Sequence, residues 1–302
     1  MTKVSKSTTA DTPFDDLGLA VAAREPLARH TWLGIGGEAA FFCEPVDADA
    51  LSRVVRRCTD RGIPLRVIGG GSNILVPKGG FSGMVVRLSA PAFCGIDVQR
   101  PAVTAGAGAK LVHLVSAAVQ AGLSGIETLV GVPGTVGGAL VGNAGGHGGE
   151  IGERVREVSV MLPSGEVDLR TGPRLAFGSR WSNLDDGIVI GCRLELDEEH
   201  PDQLTKRMQK QWIVERSEQP LGTRTVAMMF KDPHGTSAES LVVQAGARDL
   251  RVGEASVYPA HANYVVASPG CSSDDVRGLV ELVRSRVREQ LGVELTPQIE
   301  MW

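Results

Sequence analysis

Residues 131–149 read GVPGTVGGALVGNAGGHGG, a density of glycine that neither a helix nor a strand tolerates along its length. Such a stretch is expected where the backbone must turn tightly, take a positive φ, or come close to another backbone or a ligand. A second cluster, Gly69-Gly70-Gly71-Ser72-Asn73, follows directly on the apolar run Pro64-Leu65-Arg66-Val67-Ile68. Curved backbone of this kind converges N–H donors on one point and holds a phosphate without a cationic side chain, and Ser72 and Asn73 can add side-chain donors. Strand ends also turn on glycine for structural reasons alone, so the first cluster by itself leaves both readings open. The dinucleotide fingerprint G-x-G-x-x-G opening a helix is absent, and no G-K-[ST] follows either loop. Two such loops in neighbouring α/β units point to a long ligand carrying a pyrophosphate.

The flanking segments alternate between helical and strand patterns. Asp47 to Gly62 predicts a helix: Leu51, Val54, Val55 and Cys58 share a face, Asp47 or Asp49 suits the start, and Gly62 suits the stop. Met84 to Leu88 reads as a strand beside Pro64 to Ile68. A second unit begins near Pro101, with a strand at Ala102-Val103-Thr104 and a helix through Leu111, Leu114 and Val115 that Gly122 ends; strands recur near Val158–Val160 and Ile188–Ile190. A polar helix is expected from about Thr205 to Glu218. A final helix follows Ser272 and Ser273, with Val276, Leu279, Val280, Val283 and Val287 on one face and Gly292 closing it. The predicted organisation is a disordered polar tail over 1–25, a two-part domain over 26–198 (26–90 and 91–198), and a C-terminal domain over 199–302.

Composition narrows the function classes. With 302 residues, 42% of them hydrophobic, the chain can bury more than one core, and no run reaches the roughly 20 apolar residues of a membrane span. A net charge of -4 with dispersed basic residues leaves no electrostatic footprint for nucleic acid. The polar start lacks the apolar stretch of a secretory signal, so a cytoplasmic location is expected. Five cysteines without a C-x-x-C pair predict reduced structural thiols, and six scattered histidines without H-E-x-x-H predict no metal site. No G-x-S-x-G elbow marks a serine hydrolase. Nothing in the sequence fixes an oligomeric state.

GGGSNILV, GVPGTVGGALVGNAGGHGGEIG, MFKDP, QAGARDLRVGEA and HANYVV occur in an order that resembles the UDP-N-acetylenolpyruvoylglucosamine reductase family, from about Pro26 to the C-terminus. The resemblance implies an α+β protein: a two-part FAD-binding domain of the vanillyl-alcohol-oxidase-like (PCMH-type) superfamily, followed by a C-terminal α+β substrate domain. It implies FAD as cofactor, NADPH as reductant and a UDP-sugar substrate, whose enolpyruvyl group takes a hydride while a side chain protonates the adjacent carbon. Carried over by position, the FAD contacts are Gly69, Gly70, Gly71, Ser72, Asn73, Pro133, Gly134, Thr135, Gly137, Gly138, Ala139 and Asn143, and the substrate contacts are Ser182, Lys231, Asp232 and Gln244. In FGSRWSNL the resemblance makes Arg180 the enol-stabilising residue, with a surface salt bridge as the alternative, although Ser179 replaces the family's tyrosine.

Two positions depart from that chemistry. Met228 fills the slot of the proton-donating serine or cysteine, and Gln298 fills a glutamate slot; neither a thioether nor an amide delivers a proton near neutral pH. Met228 equally reads as a packing residue. Glu294 or Glu300 is a candidate to compensate, and strand alternation would set Gln298 and Glu300 on one face. Asp232 replaces an asparagine and Glu239 a glycine, and an added carboxylate is expected to repel a UDP diphosphate; His147 fills an aromatic slot. Three readings follow: a reductase with a substitute donor or lowered rate, a catalytically degenerate FAD-binding relative, and a flavin reductase with another acceptor.

Overall fold

In the computed structural model, which describes residues 12–146, 148–218 and 225–302, helix α1 (Ala48–Arg61) has the ends its sequence predicts. The Asp47 carboxylate accepts from the Ala50 N–H at 2.8 Å, and Gly62 closes the helix at φ 61°. Leu51, Val54, Val55 and Cys58 are buried, the two valines and the leucine contributing about 1.5–3 kcal/mol each. This helix covers a sheet ordered β1-β2-β5-β3 from β1 (Val21–Pro26), β2 (Glu38–Cys43), β3 (Leu65–Val67) and β5 (Phe81–Val86). β5 runs parallel to both β2 and β3. The first glycine loop leaves the end of β3 and leads into the short strand β4 (Ile74–Leu75).

The second sheet is antiparallel, ordered β9-β8-β12-β7-β6, from β6 (Ile96–Gln99), β7 (Ala102–Gly106), β8 (Val155–Met161), β9 (Val167–Thr171) and β12 (Ile188–Glu195). Between β7 and β8 lie α2 (Leu111–Gln120) and the short α3 (Val136–Val141), which emerges from the second glycine loop. Between β9 and β12 a hairpin of β10 (Phe177–Gly178) and β11 (Trp181–Ser182) projects with Ser179 and Arg180 at its tip. One continuous core joins both sheets, from Phe14 through Val54, Leu114 and Val158 to Leu204.

The last sheet, ordered β13-β16-β15-β14, contains β13 (Val226–Met228), β14 (Arg251–Val252), β15 (Ala255–Val257) and β16 (Tyr264–Ala267). One of its faces packs on α5 (Ala238–Gln244) and α6 (Ser273–Leu291), burying Ala227, Met229, Val265 and Ala267 with Leu241, Val276, Leu279 and Val283. Ser272 caps α6 in a reciprocal box with Asp275, and Gly292 ends it at φ 69°. The closing strand β17 (Glu300–Met301) returns to the first unit and pairs in parallel with β4.

Two expectations change. Residues 1–11 of the predicted tail lie outside the described residues, but the tail does not extend to residue 25: Phe14 is fully buried, its ring edge-on to Phe41 at 5.2 Å, and β1 pairs along β2. Leu17 and Leu19 pack against the same core, and Asp16 pairs with Arg57 at 2.7 Å, so the stretch is held at several points. The polar helix, α4 (Pro201–Glu218), starts before Thr205, because Leu204 is sealed into the first core with Met208 against it.

Burial raises the thiols of Cys43, Cys58 and Cys271 to about 11 and that of Cys192 to about 12. A raised folded-state value means that this contribution to stability is complete below the ordinary thiol value of 9.0 and is lost as pH climbs through 11 to 12. A thiol reagent at neutral pH should therefore label half-buried Cys94 first and the other four only on unfolding. Equal, rapid labelling of all five in the native protein would contradict this packing.

Candidate active site

The two glycine loops meet backbone to backbone. A Cβ on Gly70 would lie 2.8 Å from the Gly134 Cα, and one on Gly69 would lie 2.5 Å from Thr135 Oγ1. At Gly71, held at φ 62°, a Cβ would overlap the His30 carbonyl. The N–H groups of Gly69, Gly70, Gly71, Ser72, Gly134 and Thr135 have no protein acceptor among the described residues. Six unpaired donors on two touching, side-chain-poor loops fit an anionic diphosphate.

Other positions expected to contact the cofactor have internal hydrogen-bond partners. The Gly137 N–H donates to the Ala107 carbonyl at 2.8 Å, and a Cβ there would meet Ala107 Cβ at 3.0 Å, so this glycine serves packing. The Gly138 N–H is shared with Thr135 Oγ1 at 3.4 Å, the Ala139 N–H is bonded to the Thr135 carbonyl, and Pro133 has none to give. Asn143 is 1% exposed and spent: its amide donates to Glu150 and to the Gly178 carbonyl (2.8 Å), while its Oδ1 accepts from Gly152 N. Its task is to anchor the β10–β11 hairpin. Ser182, expected at the substrate, is likewise buried at 3% exposure and donates to the Val141 carbonyl at 2.8 Å. His147 lies outside the described residues.

At the tip of that hairpin Arg180 takes φ 54°, a left-handed conformation that costs a non-glycine residue roughly 1–2 kcal/mol. Its carbonyl accepts from Lys231 Nζ at 2.9 Å, while its guanidinium has no ion pair among the described residues, against the surface-bridge alternative. Arg180 thus combines a strained backbone with a guanidinium left free of protein carboxylates among the described residues. Lys231, Asp232 and Ser179 line a cleft of about 200 Å³ with Pro233, His234, Glu294 and Thr296.

Asn73 links the first loop to the C-terminal unit. Its Oδ1 accepts from the Met228 N–H at 2.8 Å and its Nδ2 donates to the Gln298 carbonyl at 2.9 Å, while the Asn73 carbonyl accepts from Glu300 N. The side chain expected to face a phosphate thus holds the two departing positions at fixed spacing. Gln298 N also donates to the Met229 carbonyl at 2.8 Å. Gln298 Oε1 is sealed from solvent without a hydrogen-bond partner among the described residues. An orphaned buried acceptor costs about 1–3 kcal/mol and is recovered when a donor arrives.

The candidate compensating carboxylates are occupied: Glu300 is paired with Arg66 at 3.2 Å and Glu294 with Arg284. The added carboxylates are engaged too, Asp232 accepting from the Ala238 N–H at 2.8 Å, and Glu239 accepting from Ala262 N and pairing with His261 at 3.4 Å. These bonds hold both carboxylates in place and leave their negative charge intact. Gln244 is exposed at the end of α5 and bonds only Ser240 on its own helix among the described residues.

Sequence reading passed over Tyr264 and Glu215. Glu215, on α4, is 4% exposed, and a Cβ on Gly131 would meet its own Cβ at 3.1 Å. Tyr264 lies opposite Met228 in the β13–β16 register. Alternation in Tyr264-Val265-Val266-Ala267 carried the signal, since Val265 and Ala267 are core and Tyr264 must face the other way.

Residues 39–169 match a family model described as an FAD binding domain, and residues 219–302 match the C-terminal domain of UDP-N-acetylenolpyruvoylglucosamine reductase. The reductase of that name from Rhodopirellula baltica is 38% identical over 288 residues, covering 95% of this chain and 94% of that protein. That of Heliobacterium modesticaldum is 36% identical over 281 residues, covering 92% and 89%. The crystal structure of the reductase (MurB) from Thermus caldophilus aligns with a TM-score of 0.81 at 35% identity, over 94% of this chain and 99% of that one.

Gly70→Ala should wedge the loops apart and misplace at least one charge-assisted hydrogen bond, weakening FAD binding by roughly ten- to a hundredfold. Flavin absorbance per mole of protein reads this directly, and full retention of FAD would refute the cradle. Asn73→Ala should lower unfolding stability by about 1–3 kcal/mol, because the Met228 N–H and the Gln298 carbonyl lose their partner. Denaturant midpoints test it, and an unchanged midpoint would show the clamp to be idle.

Proposed function

The chain belongs to the UDP-N-acetylenolpyruvoylglucosamine reductase family, and from that membership we propose which of its residues carry the reaction. It is an FAD-dependent oxidoreductase of peptidoglycan precursor synthesis, taking electrons from NADPH and reducing UDP-N-acetylglucosamine enolpyruvate to UDP-N-acetylmuramate. The bound flavin supplies hydride chemistry. Binding, orientation and charge are left to the protein.

The diphosphate of FAD is held by the unpaired N–H groups of Gly69, Gly70, Gly71, Ser72, Gly134 and Thr135; this donor set is the observation that carries the reading. Adding hydride to an enolpyruvyl ether drives negative charge onto the carboxylate end, and the unpaired Arg180 guanidinium meets it there. Lys231, fixed on the Arg180 carbonyl beside the cleft, adds a second positive charge for the anionic UDP-sugar. Gln298 orients rather than protonates, since an amide has no proton to deliver near neutral pH. Residues 26–198 serve the flavin and residues 225–302 the sugar, with α4 packed on the flavin side through Leu204. No helix among the described residues is long and apolar enough to cross a membrane. We place the reaction in the cytoplasm, as its water-soluble nucleotide substrates require.

Separate half-reactions test this. Anaerobic NADPH should bleach the bound flavin, and UDP-N-acetylglucosamine enolpyruvate should then restore its colour. Bleaching without recovery would point to another acceptor, and no bleaching would leave a flavin-binding relative without reductase activity.

A further inference from the structure

The second half-reaction needs a proton at the carbon next to the one that takes hydride, and neither Met228 nor Gln298 can give it. A different donor must reach the same place. β13 and β16 supply one through their register, in which Met228 and Tyr264 are direct partners. The pair is of the narrow kind. Its flanking hydrogen bond is Met229 N to the Asn263 carbonyl at 2.8 Å, whereas Met228 N goes to Asn73 and Tyr264 N to His261. In a narrow pair the Cα atoms stand about 4.5 Å apart and both side chains leave by the same face. The other face is the core face, taken by Ala227, Met229, Val265 and Ala267. Met228 and Tyr264 therefore point together, away from α5 and α6.

The Tyr264 hydroxyl makes no hydrogen bond among the described residues. It is also not sealed, since Gln298 Oε1 is the one enclosed side-chain polar atom without a partner among them. The residue is 9% exposed, and its hydroxyl keeps part of that exposure. Buried tyrosine hydroxyls ordinarily find a protein partner. Here the ring is buried and the O–H is left for something else. Burial raises the phenol, so it stays protonated across the working range, and the charged groups that act on it are Glu215, Arg180, Asp232 and Glu239. Arg180 alone among them favours the phenolate. The His261 ring lies edge-on to Tyr264 at 5.0 Å and steadies it from the adjoining turn.

We propose that Tyr264 is the proton donor of the second half-reaction, taking over the role that Met228 cannot fill. The inference rests on the reductase reading above. Hydride brings two electrons to the methylene carbon of the enolpyruvyl group, the C=C π bond opens, and its electron pair passes to the α-carbon and its carboxylate. The Tyr264 O–H bond then breaks as a C–H bond forms at the α-carbon. The phenolate that remains recovers a proton from water before the next turnover. A carbanion beside a carboxylate is a far stronger base than a phenolate, so the transfer runs downhill even from a raised phenol.

Tyr264→Phe keeps the ring and removes only the proton, so the holoenzyme variant isolates the step. NADPH should bleach its flavin at the wild-type rate. Recovery of colour with UDP-N-acetylglucosamine enolpyruvate should slow by about 10²–10⁴-fold, the usual contribution of a positioned acid. Adding Met228→Ser to that variant should restore the step by at least about tenfold, because it returns a hydroxyl to the partner position. A purely structural tyrosine would show neither the split between half-reactions nor the rescue. Recovery at the wild-type rate in Tyr264→Phe would overturn the inference and leave the reductase reading standing. Failure of the wild-type flavin to reoxidise would overturn both. Should Tyr264→Phe not fold, full-length protein made with a fluorinated, more acidic tyrosine serves instead, since the chain has only 2 tyrosines. The inference then requires the reoxidation rate to change while bleaching does not, and an unchanged reoxidation rate contradicts it.

Discussion

Gly70 against Gly134, backbone on backbone, is the contact from which the rest of the molecule is arranged. Side chains cannot enter there, so two sheets of different kind, one with parallel strands and one antiparallel, present their loops to each other as bare peptide. Unpaired N–H groups are the consequence, and they are costly unless something anionic takes them. The loops are kept in that state by internal bonds on their far sides, with Leu111 N on the Gly134 carbonyl, Val136 N on Ala109 and Gly137 N on Ala107. Fold and ligand site are thus one construction.

The C-terminal unit is hung on the same loop. Asn73 spends its amide on Met228 N and the Gln298 carbonyl, and β17 follows β4 in register behind it. Because these contacts are to backbone atoms, the identity of the side chains at positions 228 and 298 does not enter them. That is why a thioether at position 228 and an amide at position 298 do not disturb the architecture. The chemistry is free to migrate to a neighbour on the same sheet face, and Tyr264 is that neighbour.

Much of this was legible in the chain. The caps of α1 at Asp47 and of α6 at Ser272, and the terminating glycines Gly62 and Gly292, follow from local rules and fall where they were expected. The two loops announce themselves by glycine alone. What local patterns cannot give is the partner of a polar side chain: Asn143, Ser182 and Asn73 each read as ligand contacts, yet each spends hydrogen bonds on backbone far along the chain. Phe14 was hidden in a polar stretch for the same reason, since its anchorage on Phe41 is a tertiary fact. Tyr264 required a cross-strand register that no single segment contains. Gly137 also packs on Ala107 from the first turn of α3, a contact that no local pattern contains.

The most direct test is a crystal structure of the FAD-loaded protein with UDP-N-acetylglucosamine enolpyruvate. The flavin diphosphate should sit within hydrogen-bond distance of the Gly70, Gly71, Ser72 and Thr135 N–H groups, with the enolpyruvyl carboxylate at Arg180 and the α-carbon facing the Tyr264 hydroxyl. A diphosphate bound elsewhere, with these amides left to water, would contradict the account at its base.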